Sequence, residues 1–202
     1  MPYLKKDDKS RYDAEIEALV SILDTETRGC ELPQCACHLH YVIGSFFDQV
    51  VEKRFARIRY SICAMVSGTM VNIRSEFYDR VVSPKCIVSP GRMIKSLAVL
   101  HAGIIKTAPS TYQKTLDALV EKICEVTMSL KMSDCAGHLN YVVSRLIIRF
   151  IAVRFKKVWS DIRCLVMDVM TGVYTDFYNN TMRPYEDIKI EENGDVGYED
   201  IL

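Results

Sequence analysis

The chain aligns with itself. Sliding the sequence by 100 residues sets 12–84 on 112–184 without a gap, and 19 of those 73 positions are identical. The densest block places Cys35-Ala36-Cys37-His38-Leu39-His40-Tyr41-Val42 on Cys135-Ala136-Gly137-His138-Leu139-Asn140-Tyr141-Val142. Ala18-Leu19-Val20, Arg54-Phe55, Phe77-Tyr78 and Pro84 also recur 100 residues later. A duplicated unit is the economical account. It constrains the fold, because one unit of about 80 residues buries too little surface to be secure alone. Packing two units together relieves that.

Each unit reads as three helices. The first runs from about Ser10, a candidate N-cap, to Thr25, with apolar Ile16, Leu19, Val20 and Leu23 on one face. Its counterpart opens on Ser110-Thr111-Tyr112-Gln113, a capping-box pattern, and carries Leu116, Leu119, Val120 and Ile123. Loops follow at Gly29 and Pro33, and at Ser133-Asp134. The second helix has a wide apolar face, Leu39, Val42, Ile43, Phe46, Phe47, Val50, Val51 and Phe55; in the second unit it is apolar almost all round and so is central. The third carries Ile62, Met65, Val66, Met70, Ile73 and Phe77, matched by Ile162, Leu165, Val166, Met170, Val173 and Phe177, and is expected to stop before the proline. Ser89-Pro90-Gly91 marks a turn and Met93 to Ile105 a linking helix. Ile188-Lys189-Ile190 and Val196-Gly197-Tyr198 around Asn193-Gly194 predict a C-terminal hairpin or loose tail. The expected organisation is a first repeat over 1–86, a linker over 87–109, a second repeat over 110–184 and an acidic tail over 185–202. The fold class is all-α, two tandem three-helix units related by pseudo-twofold symmetry.

The zero net charge hides an uneven distribution. Residues 87–183 hold 13 Lys and Arg against 7 Asp and Glu, while 184–202 hold Lys189 against seven acids. The tail can therefore neutralise the body, which weakens a nucleic-acid reading. The start is polar, with no secretory pattern, and the apolar run Leu139 to Phe155 is interrupted by Arg145, Arg149 and Arg154, so no membrane span is expected. The eight cysteines then read as free thiols of a reducing cytoplasm.

Three clusters invite chemistry. Cys30, Cys35, Cys37, His38 and His40 are zinc-type ligands, but the spacing does not wrap a metal, and Leu130, Gly137 and Asn140 replace three of them in the second unit. No metal and no cofactor is expected. His38, His40 and Tyr41, with His138, Asn140 and Tyr141, form the entry to each second helix, where free N–H groups bind anions; helix capping and a packed tyrosine explain the same residues. Arg145, Arg149, Arg154, Lys156, Lys157 and Arg163 concentrate positive charge that can track phosphates, or pair with acids. For an enzyme, only Glu76-x-x-Asp79 and Asp176-x-x-Asn179 approach a magnesium pattern, and no nucleophile motif or phosphate loop is present.

Two ends and a centre carry a resemblance. Met1-Pro2-Tyr3-Leu4-Lys5-Lys6, Gly137-His138-Leu139-Asn140-Tyr141-Val142-Val143-Ser144-Arg145-Leu146, and Pro184-Tyr185-Glu186-Asp187-Ile188-Lys189-Ile190-Glu191-Glu192-Asn193-Gly194-Asp195-Val196 are similar to the opening, middle and close of a family of short uncharacterised bacterial and bacteriophage proteins. The opening and close occur once and the middle twice, as in a duplicated member. His38 and His138 stand where that family more often has an acid. The resemblance implies a bacterial or phage origin and assigns no chemistry. The function expected is a non-catalytic binding or scaffold protein acting through protein–protein contacts, in the bacterial cytoplasm or a virion. It has an unidentified protein partner, possible homo-oligomers and no membrane. The alternative is a binder of nucleic acid or of a small anionic ligand through the basic face of the second repeat.

Overall fold

The structure, a computed structural model, describes residues 4, 6–55, 57–83 and 110–193. A helical turn (Lys6–Lys9) and a 3-10 turn (Ser10–Tyr12) lead into α1 (Asp13–Glu26), α2 (Leu32–Arg54) and α3 (Tyr60–Phe77). The second unit repeats this as α4 (Ser110–Thr127), α5 (Met132–Arg154) and α6 (Ser160–Phe177), and α7 (Arg183–Asn193) follows. No strand occurs among the described residues. The linking helix expected at 93–105, the turn at 89–91 and the segment 194–202 lie outside them.

Start and stop signals differ from expectation in instructive ways. Ser10 begins the 3-10 turn rather than capping α1, whose N-cap is Tyr12. Ser110 is already helical, and Gln113 Nε2 donates to Asp117 at 2.8 Å instead of closing a capping box. The capping box that does form is Glu31 with Gln34 at the head of α2, with Pro33 inside the first turn where its missing N–H costs nothing. Gly29, at φ 76°, supplies the left-handed residue in the loop before it.

Pro184 does not end the third helix. A π-helical turn (Tyr178–Met182) intervenes after Phe177, and α7 then starts with Pro184 in its first turn. There the ring meets no obligatory i−4 hydrogen bond. Ile188-Lys189-Ile190 is therefore helical, which replaces the expected hairpin strand.

The two units do not stand side by side as separate bundles. α1 packs on α5 and α4, α2 packs on α6 and α4, and α3 packs on α5 and α6. Within a unit, the first and second helices barely touch. Equivalent helices do meet across the pseudo-twofold, α1 with α4 and α3 with α6, but each unit's first helix also lies on the other unit's second helix. The core is correspondingly shared: one apolar cluster runs from Ile16, Leu19 and Leu23 through Phe46 and Phe47 to Leu119, Val143, Phe150 and Met170. With α6, which also buries eleven residues, α5 shares the central place anticipated for it, its own eleven buried residues running from Cys135 to Ile151. It is also the one described helix apolar and long enough to cross a membrane; half of its most apolar window is packed inside the protein.

Candidate functional site

The entries to the second helices were the best sequence-level candidates, and both are built into the seam between units. Burial holds the phenols of Tyr12 and Tyr112 well above their usual range, so each stays protonated. Burial also lowers His38 and His138 below 6.5, favouring neutral imidazoles. The Tyr12 hydroxyl therefore donates to Nδ1 of His138 at 2.7 Å, and that of Tyr112 to Nδ1 of His38 at 2.8 Å. With Nδ1 accepting, the ring proton of each histidine sits on Nε2. Tyr41 packs its ring on Tyr112 at 6.2 Å, and the Tyr141 hydroxyl donates to Asp13 at 3.4 Å.

A second pair of fastenings lies at the ends of the first helices. Arg54, from the last turn of α2, donates to the carbonyls of Thr127 and Met128 at 2.9 and 3.0 Å. Arg154, from α5, donates to the carbonyl and hydroxyl of Thr27 at 2.8 and 3.2 Å. A helix leaves its last carbonyls without partners, and here the other unit's guanidinium satisfies them. Cys35 and Cys135 pack into these same two corners, and burial raises both thiols above their ordinary range.

The basic concentration of the second unit is divided by the fold. Arg149 makes a two-point pair with Glu17, at 2.5 and 2.8 Å, which lowers that carboxyl; Arg145 lies 4.0 Å from Asp13, and Arg154 is committed as above. Arg163 is buried. Lys156 and Lys157 remain exposed on the α5–α6 loop, Lys156 at φ 58°. The six do not form one cationic face.

The Cys/His cluster is likewise dispersed. Cys30 Sγ donates to the Glu26 carbonyl at 3.6 Å and Cys35 Sγ to the Cys30 carbonyl at 3.8 Å, Cys37 is half-buried, and His38 is taken by Tyr112. Among the described residues no three His, Cys, Asp or Glu side chains stand close enough to hold a metal ion. The seven described cysteines are free thiols.

The pairing of His40 with Asp176 and a groove beside α2 carried no signal of their own in the sequence, although both residues did. His40 Nε2 lies 3.2 Å from Asp176 of the other unit, over Gly172, whose missing Cβ would lie 3.4 Å from that nitrogen. At the equivalent positions the other half has Asn140, Glu76 and Asn72, so this pair breaks the pseudo-symmetry. Asn140 is buried and accepts from Ser144 at 3.1 Å. An open groove of about 400 Å³ runs between α2 and the second unit's π-turn, lined by Asp48, Glu52, Phe55, Ile58, Asn180 and Thr181 among others.

The profile of a family described as a domain of unknown function (DUF6899) matches residues 1–85 and 105–196. No curated protein and no solved structure matches the chain. The two matched segments coincide with the two interlocked units. The chain thus belongs to the DUF6899 family, with the domain present twice in tandem.

Proposed function

We propose that the protein is a non-catalytic binding or scaffold protein of bacterial or phage origin, acting by protein–protein contact in the host cytoplasm or a virion. The polar residues shared by both units are occupied in fastening one unit to the other, which leaves them little freedom for chemistry. The observation that carries the reading is apolar exposure at the two junctions where the second helices lead into the third. Ile58 and Tyr60 at one, and Val158 and Trp159 at the other, face solvent, with Tyr60 66% exposed and Trp159 44%. They are flanked by exposed Arg57, Arg59, Lys156 and Lys157. Exposed aromatic residues beside cations are the composition of protein-binding anchors.

The test is capture from host extract on the immobilised full-length protein and on a Tyr60→Ser, Trp159→Ser variant of unchanged helicity. A partner held by the parent and lost by the variant supports the reading. An unchanged partner set sinks it. Tight binding of duplex or single-stranded nucleic acid that weakens steeply with salt would put the alternative in its place.

A further inference from the structure

We infer that the seam between units is a pairing code: residues identical in both units fasten any two units together, and charged residues that differ select unit one for unit two. The fastening set is repeated at equivalent positions, Tyr12 and Tyr112, Thr27 and Thr127, His38 and His138, Arg54 and Arg154. Each of these residues makes a hydrogen bond across the seam, Thr127 through its backbone carbonyl. By the register of the repeat, two copies of either unit would make the same contacts.

The ion pairs across the seam do not have that property. Asp13 faces Arg145, Glu15 faces Lys122 at 3.3 Å, Glu17 grips Arg149, and Lys53 lies 3.8 Å from Glu121. In a pair of first units, Asp13 would face Ser45, Glu15 would face Ile22, Glu17 would face Gln49, and Lys53 would face Ser21. None of these four charge pairs survives, and His40 would face Glu76 instead of Asp176. In a pair of second units, Gln113 would face Arg145, Thr115 would face Lys122 and Glu121 would face Val153, leaving only Asp117 opposite Arg149. Four of these pairs thus exist in the mixed arrangement, none in a pair of first units, and two in a pair of second units, where the twofold makes the Asp117–Arg149 contact twice. Specificity is a difference between such arrangements, and exposed ion pairs suffice to set it even where each contributes little. The partner that each unit's seam fits is one unit of this fold carrying the opposite charge pattern.

The experiment uses the full chain with a protease recognition sequence inserted between Gly91 and Arg92. The chain is folded, cut, then unfolded in urea and refolded at about 10 μM, above the dissociation constant expected of a seam this extensive. Native mass spectrometry separates pairs of first units, mixed pairs and pairs of second units by mass. The ratio of mixed to like pairs, 1:1 at random, is expected to rise roughly tenfold, the effect of several exposed pairs together. In high salt the excess should shrink towards random. An Arg145→Ser, Arg149→Gln variant, which gives unit two the residues of unit one, should shrink it severalfold while pairs still form. Random pairing in low salt, an excess indifferent to salt and to that variant, separately folded single units, or pieces that fail to refold would each overturn the inference. A Tyr12→Phe, Tyr112→Phe version should weaken all pairs, about fivefold for each lost hydrogen bond, without changing their proportions. Unchanged affinity would overturn the fastening role.

Discussion

Tyr12 and Tyr112 are wholly buried phenols, each with one histidine as its partner. Replacing either by Phe keeps the ring but leaves an imidazole nitrogen unsatisfied, so each change should cost about 1–3 kcal/mol, read from urea unfolding. The two sites share no partner, and the costs should add in the double variant. The same pairs make stability pH-dependent. Burial lowers both histidines from 6.5, so below that value the unfolded chain binds more protons than the folded one. Stability is therefore fully present above about pH 6.5 and falls as pH drops through the folded values. Urea midpoints measured from about pH 8 to 5 should decline on the acid side. A His38→Asn, His138→Asn variant should flatten the decline, and an unflattened curve would assign it to other groups.

Helix ends carry the next level of cost. Arg54 and Arg154 each satisfy carbonyls at the end of the other unit's first helix. Arg54→Ala should lose about 1.5–3 kcal/mol, the range for hydrogen bonds to charged groups. Arg54→Lys should recover only part, since an ammonium cannot reproduce the planar two-point donation. Thermal melts of the three proteins decide this. Lys156 holds a left-handed backbone, φ 58°, that an L side chain resists. Lys156→Gly should raise stability by about 1 kcal/mol, visible in the same melts. The capping box at Glu31 and Gln34 escaped the sequence reading because Glu is not among the Ser, Thr, Asp and Asn that mark a cap. Pro184 misled it because a proline reads as a stop whether it follows a helix or sits in the first turn of the next.

At the scale of the whole molecule, the shared core leaves neither unit able to unfold alone. Calorimetry should show one transition with equal calorimetric and van't Hoff enthalpies. Phe46→Ala, at a 1% exposed position, should cost about 3–5 kcal/mol and lower hydrogen-exchange protection in α4 and α6 as much as in α2. Protection lost only within the first unit would contradict an interlocked core. The repeat, the apolar rhythm and the helix count determined the class of fold, because a 3.6-residue period and a duplicated pattern are local facts. His38 and His138, Tyr41 and Tyr141, Arg54 and Arg154 were legible as residues both units need. Their task was not legible. A tyrosine on a first helix and a histidine on a second make the same hydrogen bond whether both belong to one unit or to different units. The contact energies, and hence the residue choices, are then nearly identical. Only the tertiary structure, through the directions in which α1 leaves for α2 and α4 for α5, decided that the contacts are exchanged. That exchange also turned the basic residues of the second unit from an apparent surface into partners for Asp13 and Glu17.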